Sequence, residues 1–210
     1  MNPIKKAVSG RGALALAAAL AFGVGFSLWG TAGVQAGPGG ELVVADFNTG
    51  DKPNNLGGDF GTWDANPNDD TQEVKMAFVE DDAAGDKYGY AVRLDYDVDS
   101  PNPAYNGLWM KLAGQDGTAF NTLNFWVKGD KDKGFSPRVK VELKDSSNKP
   151  SPYIVSGITG EWQKFSIPFE KFRKVEDWKS LNEFVVVFDD VNSNPKTGAI
   201  IIDNVTLTKE

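Results

Sequence analysis

The sequence predicts an all-β protein whose single domain is a jelly-roll β-sandwich. The strongest local signal is a period of two: across residues 92–99, apolar side chains such as Val92 and Leu94 alternate with Arg93 and three aspartates, as in a strand with one buried face. Such segments are short, and clusters of Gly, Pro, Asn and Asp separate them. Many short strands with such turns are typical of β-sandwiches, and the short edges of a jelly roll suit a soluble monomer.

Eight strands are expected along the chain. The clearest alternation lies in residues 92–99, 123–127 and 139–143. The other five are apolar or aromatic runs bounded by turn clusters, at residues 42–47, 106–112, 162–167, 183–188 and 199–207. Residues 169–180 are expected to hold no more than a turn or two of helix. No internal repeat or long linker divides the chain, so residues 37–210 are expected to form one domain.

Residues 1–36 are expected to be a signal peptide that is cleaved. Three cationic residues precede an apolar run at residues 12–29, and Val34-Gln35-Ala36 supplies the small residues of a cleavage site. An uncut membrane anchor is the alternative, because the run is nearly long enough to cross a bilayer. Gly23 and Gly25 within the run favour cleavage. No second apolar segment follows, so the mature protein should be soluble, without membrane insertion, and exported to the periplasm or beyond the cell.

Composition excludes several function classes. The formal net charge is −7 and becomes more negative once the leader is removed, which argues against a nucleic-acid partner held through phosphate contacts. The chain has no histidine and no cysteine, so Ser-His-Asp and Cys-His catalysis and imidazole zinc sites are excluded. No catalytic signature remains, and we expect a protein that is not an enzyme.

Four segments, taken in their order and spacing, resemble a known group of jelly rolls. They are residues 44–48 (VADFN), 123–129 (LNFWVKG), 161–169 (EWQKFSIPF) and 201–205 (IIDNV). The chain resembles galactose-binding-like domains, above all carbohydrate-binding modules of the family-eleven type and the related intermediate-associated protein family of respiratory complex I assembly. The resemblance spans nearly all of residues 41–209. It implies a sandwich that binds either a glycan or a protein partner.

A structural calcium ion is expected. Asp203 shares the phase of Ile201, Val205 and Leu207, so its carboxylate should point towards the core, where it needs a cation or several donors. The resembled modules often hold calcium with acids from the first and last strands, which implies Asp46 and Asp203 as ligands. Asp86 in the acidic loop is a third candidate, and carbonyl oxygens would complete the shell. In the alternative interpretation, Asp203 caps a turn at a strand end.

Exposed aromatic side chains are the main indication of function. A sugar presents a flat face of C–H groups with hydroxyls at its rim, so a binding cleft needs exposed rings beside polar groups. Tyr105 and Trp109 share a phase opposite Leu108 and should face outward together. Trp63 follows a glycine-rich stretch that is as consistent with a purely structural loop as with a lid over the cleft.

Polar side chains are expected to complete the cleft. Lys140 and Glu142 lie on the polar phase of a strand that lines the concave cleft of the resembled modules, and Tyr153 matches the region of their stacking ring. Asp97 is a candidate acceptor for sugar hydroxyls. An acidic strand face that is simply solvated is the alternative for such residues.

The sequence therefore predicts an exported, calcium-stabilised, non-catalytic protein that binds a polysaccharide or a cell-surface glycan. A protein-interaction or assembly factor with the same fold is the second hypothesis, and it predicts a buried Trp109. A glycoside hydrolase using two carboxylates is the third, although no signature singles out a pair of acids.

Overall fold

The structure is a computed structural model, which describes residues 40–81 and 89–210. By its internal contacts the chain divides into two units, residues 1–32 and 33–210, and the described residues belong to the second. The predicted signal peptide, residues 1–36, and the candidate ligand Asp86 lie outside the described residues.

The described residues form eleven β-strands and one 3₁₀-helix. The strands are β1 (Glu41–Ala45), β2 (Phe60–Asp64), β3 (Glu73–Glu80), β4 (Tyr90–Asp97), β5 (Tyr105–Gln115), β6 (Thr122–Gly129), β7 (Arg138–Asp145), β8 (Ser151–Ser156), β9 (Gln163–Pro168), β10 (Leu181–Asp189) and β11 (Thr197–Thr208). The 3₁₀-helix covers Phe169–Lys171, within the segment expected to hold a helical turn. Within these ranges, no helix is long and apolar enough to span a membrane.

The strands form two antiparallel sheets. In sheet A the order is β3-β4-β11-β6-β9, and β1 also pairs with β11. In sheet B the order is β2-β5-β10-β7-β8. Sequence-distant strands such as β5 and β10 are neighbours, as jelly-roll connections require. The predicted all-β sandwich is confirmed.

The core lies between the inner faces of the two sheets. Tyr96 of sheet A stacks on Phe188 of sheet B with ring centroids 4.1 Å apart and planes at 8°. Phe125 and Phe184 meet across the same interface at 5.9 Å. Because alternate residues of each strand enter this core, the intervening residues of sheet B form a continuous outer face.

Three strands were not predicted: β2, β3 and β8. Each lies at an edge of its sheet and pairs with a single neighbouring strand along the sheet order. An edge strand buries less side-chain surface than a central one, and the sequences of β2 and β8 accordingly show a weak apolar alternation. In β8, for example, only Ser151 and Val155 are buried.

Candidate functional site

The outer face of sheet B brings most of the predicted cleft residues together. The strand register places Gly61, Trp109, Val185, Glu142 and Pro152 side by side, one from each strand. Along each strand these positions alternate with core residues, such as Phe184 in β10. We call this surface the outer face of sheet B.

A second row lies beside the first on the same face. It consists of Trp63, Gly107, Val187, Lys140 and Ile154. Glycine occurs once in each row, at Gly61 and Gly107, where a tryptophan stands on the adjacent strand. Val185 and Val187 of β10 occupy the centre of the two rows, where they are 2% and 3% exposed, and aromatic and charged side chains lie around them.

Three aromatic rings define one end of this face. Tyr105 is 48% exposed, and its ring meets that of Trp63 edge-on with centroids 5.8 Å apart and planes at 65°. Trp109 is partly exposed and lies against Gly61, where an added β-carbon would stand 3.3 Å from the indole. Tyr105 and Trp109 thus share the outward phase that the sequence indicates.

Two lysines approach the Trp109 ring. Lys111 Nζ lies 5.7 Å from the ring centroid and Lys52 Nζ lies 5.9 Å from it, within the range of cation–π attraction. Lys52 also forms an ion pair with Asp59 at 3.0 Å. The indole is thereby bordered by ammonium groups that are themselves held by carboxylates.

Glu183 holds two lysines from the strands on either side of it. Its carboxylate accepts hydrogen bonds from Lys111 Nζ at 2.7 Å and from Lys144 Nζ at 2.6 Å, and the residue is only 8% exposed. Burial by itself raises the pKa of Glu183, but the two ammonium groups outweigh burial and lower the pKa below its ordinary value. The carboxylate is thus stabilised in its charged form beside the apolar run of residues 184–188.

Asp189 binds Lys140 as Glu183 binds Lys111 and Lys144. Lys140 Nζ lies 3.0 Å from Asp189 Oδ2, and Asn192 Nδ2 donates to both carboxylate oxygens at 2.8 and 2.9 Å. Burial raises the pKa of Asp189, whereas the hydrogen bonds from Asn192 and Lys140 lower it, and the net pKa is lowered. Lys140 is therefore fixed in position within the second row, between Val187 and Ile154.

Glu142 differs from the other acids of this face. Within the described residues its carboxylate has no ion pair and no hydrogen bond, because Lys140 and Lys144 on either side bind Asp189 and Glu183 instead. Burial raises the pKa of Glu142, and the two lysines partly oppose that rise. Its acceptor oxygens are available to a ligand in the row that contains Trp109.

Two predicted residues do not lie on this face. Asp97 belongs to β4 in sheet A, where its carboxylate accepts the Asp99 backbone N–H at 2.8 Å, so it is separated from the others by the core. Tyr153 pairs with the buried Val141. Its ring therefore packs on the core side, 6.4 Å from that of Phe172. The prediction that Tyr153 and Asp97 belong to the cleft is therefore wrong: the phase of β8 turns Tyr153 inward, and Asp97 lies on the other sheet.

Other tryptophans also lie away from this face. Trp162 packs against Ile201 on sheet A, with Lys128 Nζ 4.9 Å from its ring centroid. Trp178 stacks on Phe169 at 4.3 Å. Both rings make packing contacts, which leaves Trp63, Tyr105 and Trp109 as the aromatic group of the candidate site.

The candidate metal ligands Asp203 and Asp46 form hydrogen bonds with different neighbours. Asp203 is 1% exposed and accepts the Asn204 backbone N–H at 2.7 Å. Asp46 accepts from the Asn48 backbone N–H at 3.1 Å and from Asn55 Nδ2 at 2.9 Å. Within residues 40–81 and 89–210, no group of three acidic side chains is arranged to hold a metal ion.

The phase argument for Asp203 requires correction. The register of β11 shifts between Asp203 and Thr206, and Asn204 has a φ of +46°. Ile201 consequently packs in a small cluster outside the main core, whereas Val205 joins the main core. Asp203 is buried as expected, but a bulge separates its phase from that of Val205.

Solved structures share this fold at low sequence identity. The family 11 carbohydrate-binding module from Clostridium thermocellum, in complex with a β-1,3-1,4-mixed-linked tetrasaccharide, aligns with a TM-score of 0.58 and 16% identity over 82% of this chain and 98% of that chain. An exo-β-agarase aligns with a TM-score of 0.60 and 12% identity, over 80% of this chain and 25% of its own. At these identities the alignments show a common fold. No relative was found among curated proteins.

The sequence itself also matches a protein family. The family profile described as carbohydrate binding domain 30 aligns with residues 54–209. That range begins before β2 and ends after β11, so it includes every strand of the outer face of sheet B. The chain therefore belongs to the carbohydrate binding domain 30 family.

Proposed function

We propose that this protein binds a glycan without transforming it, and that the outer face of sheet B is the binding surface. The observation that carries the proposal is the arrangement around Trp109: its indole lies on Gly61, remains partly exposed, and shares a row with the unpaired Glu142. An exposed ring beside an available acceptor matches the flat C–H face and hydroxyl rim of a sugar.

The charged pairs support binding of an extended glycan. Lys111, Lys144 and Lys140 each retain donor hydrogens after binding Glu183 or Asp189, because an ammonium group has three. These donors and the Glu142 acceptor lie on β5 and β7, the two strands on either side of β10. A chain of several sugar units laid across the strands would meet an aromatic ring and a polar group in succession.

Catalysis is not part of the proposal. Two of the three acids on the face, Glu183 and Asp189, are already bound to lysines, and a proton donor or nucleophile would have to leave those ion pairs first. Glu142 remains as one available carboxylate, whereas the usual hydrolytic mechanism requires two. A partly exposed Trp109 also favours glycan binding over the assembly-factor hypothesis, which predicts that this ring is buried.

The proposal is tested by measuring binding of residues 37–210 to soluble mixed-linked β-1,3-1,4-glucan, agarose, xylan and cellulose. Covering one ring face contributes on the order of 1 to 2 kcal/mol, so Trp109→Ala should weaken binding about fivefold to thirtyfold. Trp162→Ala, on sheet A, is the matched control and should bind as the wild type does. Retention of no glycan, or equal loss in both variants, would refute the proposed surface.

A structural calcium ion and export extend the proposal. A carboxylate as buried as that of Asp203 suits a cation site, and Asp46 and Asp86 are the further ligands we propose. For export, we propose cleavage after Ala36 and a monomeric product in the periplasm or outside the cell. Determining the N-terminal residue of the secreted protein and its mass in solution tests both points.

A further inference from the structure

Strands β2 and β5 carry different pairs of residues on their two faces at one end of the sandwich. On the outer face, Trp63 is paired in register with Gly107 and packs edge-on against Tyr105. One position along each strand, Asp64 is paired with Asn106 on the core side. The aromatic pair and the polar pair are therefore carried by consecutive residues of the same two strands.

The polar pair lacks a hydrogen bond that its burial requires. Asp64 Oδ1 and Asn106 Oδ1 are both buried and have no partner among the described residues, and Asn106 is 0% exposed. Residues opposite each other in an antiparallel pair have β-carbons about 4.5 to 5.5 Å apart. Two unpaired acceptor oxygens thus lie on side chains that stand opposite each other in the strand register.

Reversing the Asn106 amide does not resolve the shortage. In the present orientation, Asn106 Nδ2 donates to the Asp97 carbonyl at 2.7 Å and so joins sheet B to sheet A. Turning the amide over would bring Oδ1 against the Asp97 carbonyl, so one acceptor oxygen would still face another. A proton on Asp64 would supply a donor without breaking the bond to Asp97.

We propose that Asp64 is a neutral carboxylic acid whose proton is donated to Asn106 Oδ1, and that this pair positions Trp63 and Tyr105 on the outer face of sheet B. The positioning role rests on the glycan-binding function proposed above. Because Trp63 precedes Asp64 and Tyr105 precedes Asn106, the buried bond fastens the end of the edge strand that carries one ring to the strand that carries the other.

The surroundings of Asp64 favour its neutral form. Burial raises its pKa above the ordinary value of 3.8, the Glu73 carboxylate on β3 raises it further, and the Val74 backbone N–H partly opposes both. Other charged or titratable groups of the packed elements are Lys75, which is bound to Glu73, Asp97 on the far face of β4, and Tyr105 on β5. No cation among the described residues forms an ion pair with Asp64.

This arrangement predicts a specific pH dependence. A raised pKa in the folded state means that the bond stabilises the fold below the ordinary carboxyl value and is lost as the pH rises through the higher folded value. Above that point, a charged Asp64 faces the Asn106 oxygen and the end of β2 is loosened. Glycan affinity should therefore decline over the same interval in which Asp64 loses its proton.

The first measurement follows the Asp64 carboxyl carbon by NMR from about pH 2 to about pH 8. The expected result is titration above 3.8. Asp64→Asn replaces the acid with an amide that donates to the same oxygen at every pH, and Asp70→Asn, in the exposed adjoining loop, is the matched control. In Asp64→Asn, the change in stability that accompanies the Asp64 titration should be lost. At the upper end of the pH range its melting temperature should exceed that of the wild type by about 2 to 4 °C. Asp70→Asn should follow the wild type.

The second measurement is affinity for soluble mixed-linked β-1,3-1,4-glucan over the same pH range. Wild-type affinity should fall about threefold to tenfold across the Asp64 titration, and Asp64→Asn should hold it constant. Titration of Asp64 at or below 3.8 would overturn the neutral acid, and equal pH profiles in wild type and Asp64→Asn would overturn the positioning role. If no glycan binds, the proposed function fails, and the NMR titration with the Trp63 indole shift still decides the buried pair.

Discussion

The indole of Trp109 rests on Gly61 of the adjacent strand, so closely that even a methyl group at position 61 would crowd the ring. A β-carbon at position 61 would stand 3.3 Å from the ring, closer than ordinary van der Waals contact. The absence of a side chain at Gly61 therefore sets the height at which the Trp109 ring lies above the sheet.

Gly61→Ala should lift or tilt the indole without disturbing the core. We expect affinity for a bound glycan to fall about threefold to tenfold, because the ring face moves relative to the neighbouring polar groups. Affinity is measured by calorimetry, and the melting temperature serves as the control for folding. Unchanged affinity with a shifted tryptophan fluorescence would contradict the importance of the ring position.

Glu183→Gln should destabilise the protein and release two lysines at once. The variant removes the nearly buried carboxylate that binds both Lys111 and Lys144. We expect the free energy of unfolding to fall by about 1 to 3 kcal/mol at neutral pH. Urea denaturation measures the effect. Glu170→Gln, whose pair with Lys171 at 3.3 Å is exposed, is the matched control and should change stability little.

The same pair should contribute to acid sensitivity. Because the pKa of Glu183 is lowered in the folded protein, its stabilising effect is present above the ordinary carboxyl pKa and is lost as the pH falls through the lower folded value. Wild type and Glu183→Gln should therefore converge in stability on acidification. A constant difference between them at every pH would argue against the ion pairs as the source.

Asp145→Asn should loosen the segment that follows the 3₁₀-helix. Asp145 is 1% exposed, and its carboxylate accepts the backbone N–H groups of Glu176 at 2.8 Å and Asp177 at 3.0 Å, as well as the Ser147 hydroxyl at 2.5 Å. These hydrogen bonds hold the pKa of Asp145 well below its usual range. An amide cannot accept all of them, so we expect a loss of about 1 to 3 kcal/mol.

Hydrogen exchange at residues 173–180 measures that local effect. Exchange there should become faster in Asp145→Asn than in the wild type, while exchange in the central strands changes less. Asp132→Asn, an exposed acid in another turn, is the control. Equal exchange in all three proteins would show that the carboxylate does not hold the segment.

Calcium binding is tested through stability. Added Ca²⁺ should raise the melting temperature of the wild type and a chelator should reverse the rise, because a ligand that binds only the folded state stabilises it. Asp203→Asn should remove the response, and the exposed Asp99→Asn should retain it. An identical melting curve with and without chelator would show that calcium does not stabilise the fold.

The sequence predicts strands such as β4 and β7 well because their side chains alternate, as Val139 and Lys140 do in β7. It predicts β2 poorly, since Phe60 to Asp64 follows a glycine-rich stretch and lies at a sheet edge. Within the candidate site, the alternation of β5 correctly places Tyr105 and Trp109 outward. The family resemblance implies Tyr153 as a stacking ring and misplaces it, because the phase of β8 turns this ring towards the core and the sequence does not indicate that strand.

The lysine clusters could not be predicted for a different reason. Glu183 and Asp189 flank a continuous apolar run in β10, so no alternation shows which face they occupy. Their role depends on the register that sets Glu183 opposite Lys111 on one side and Lys144 on the other. Sequence spacing alone carries no information about that pairing between distant strands.

The double contact of Glu183 also affects the thermodynamics of binding. A free lysine side chain samples many rotamers, and ordering it for a ligand costs roughly 0.5 to 1.5 kcal/mol. Lys111 and Lys144 are already ordered by one central carboxylate, so that entropy is lost during folding and before any ligand arrives. In the proposed function these donors are ordered before a glycan arrives, and even a small entropy saving at each sugar unit would change the affinity for the whole glycan chain.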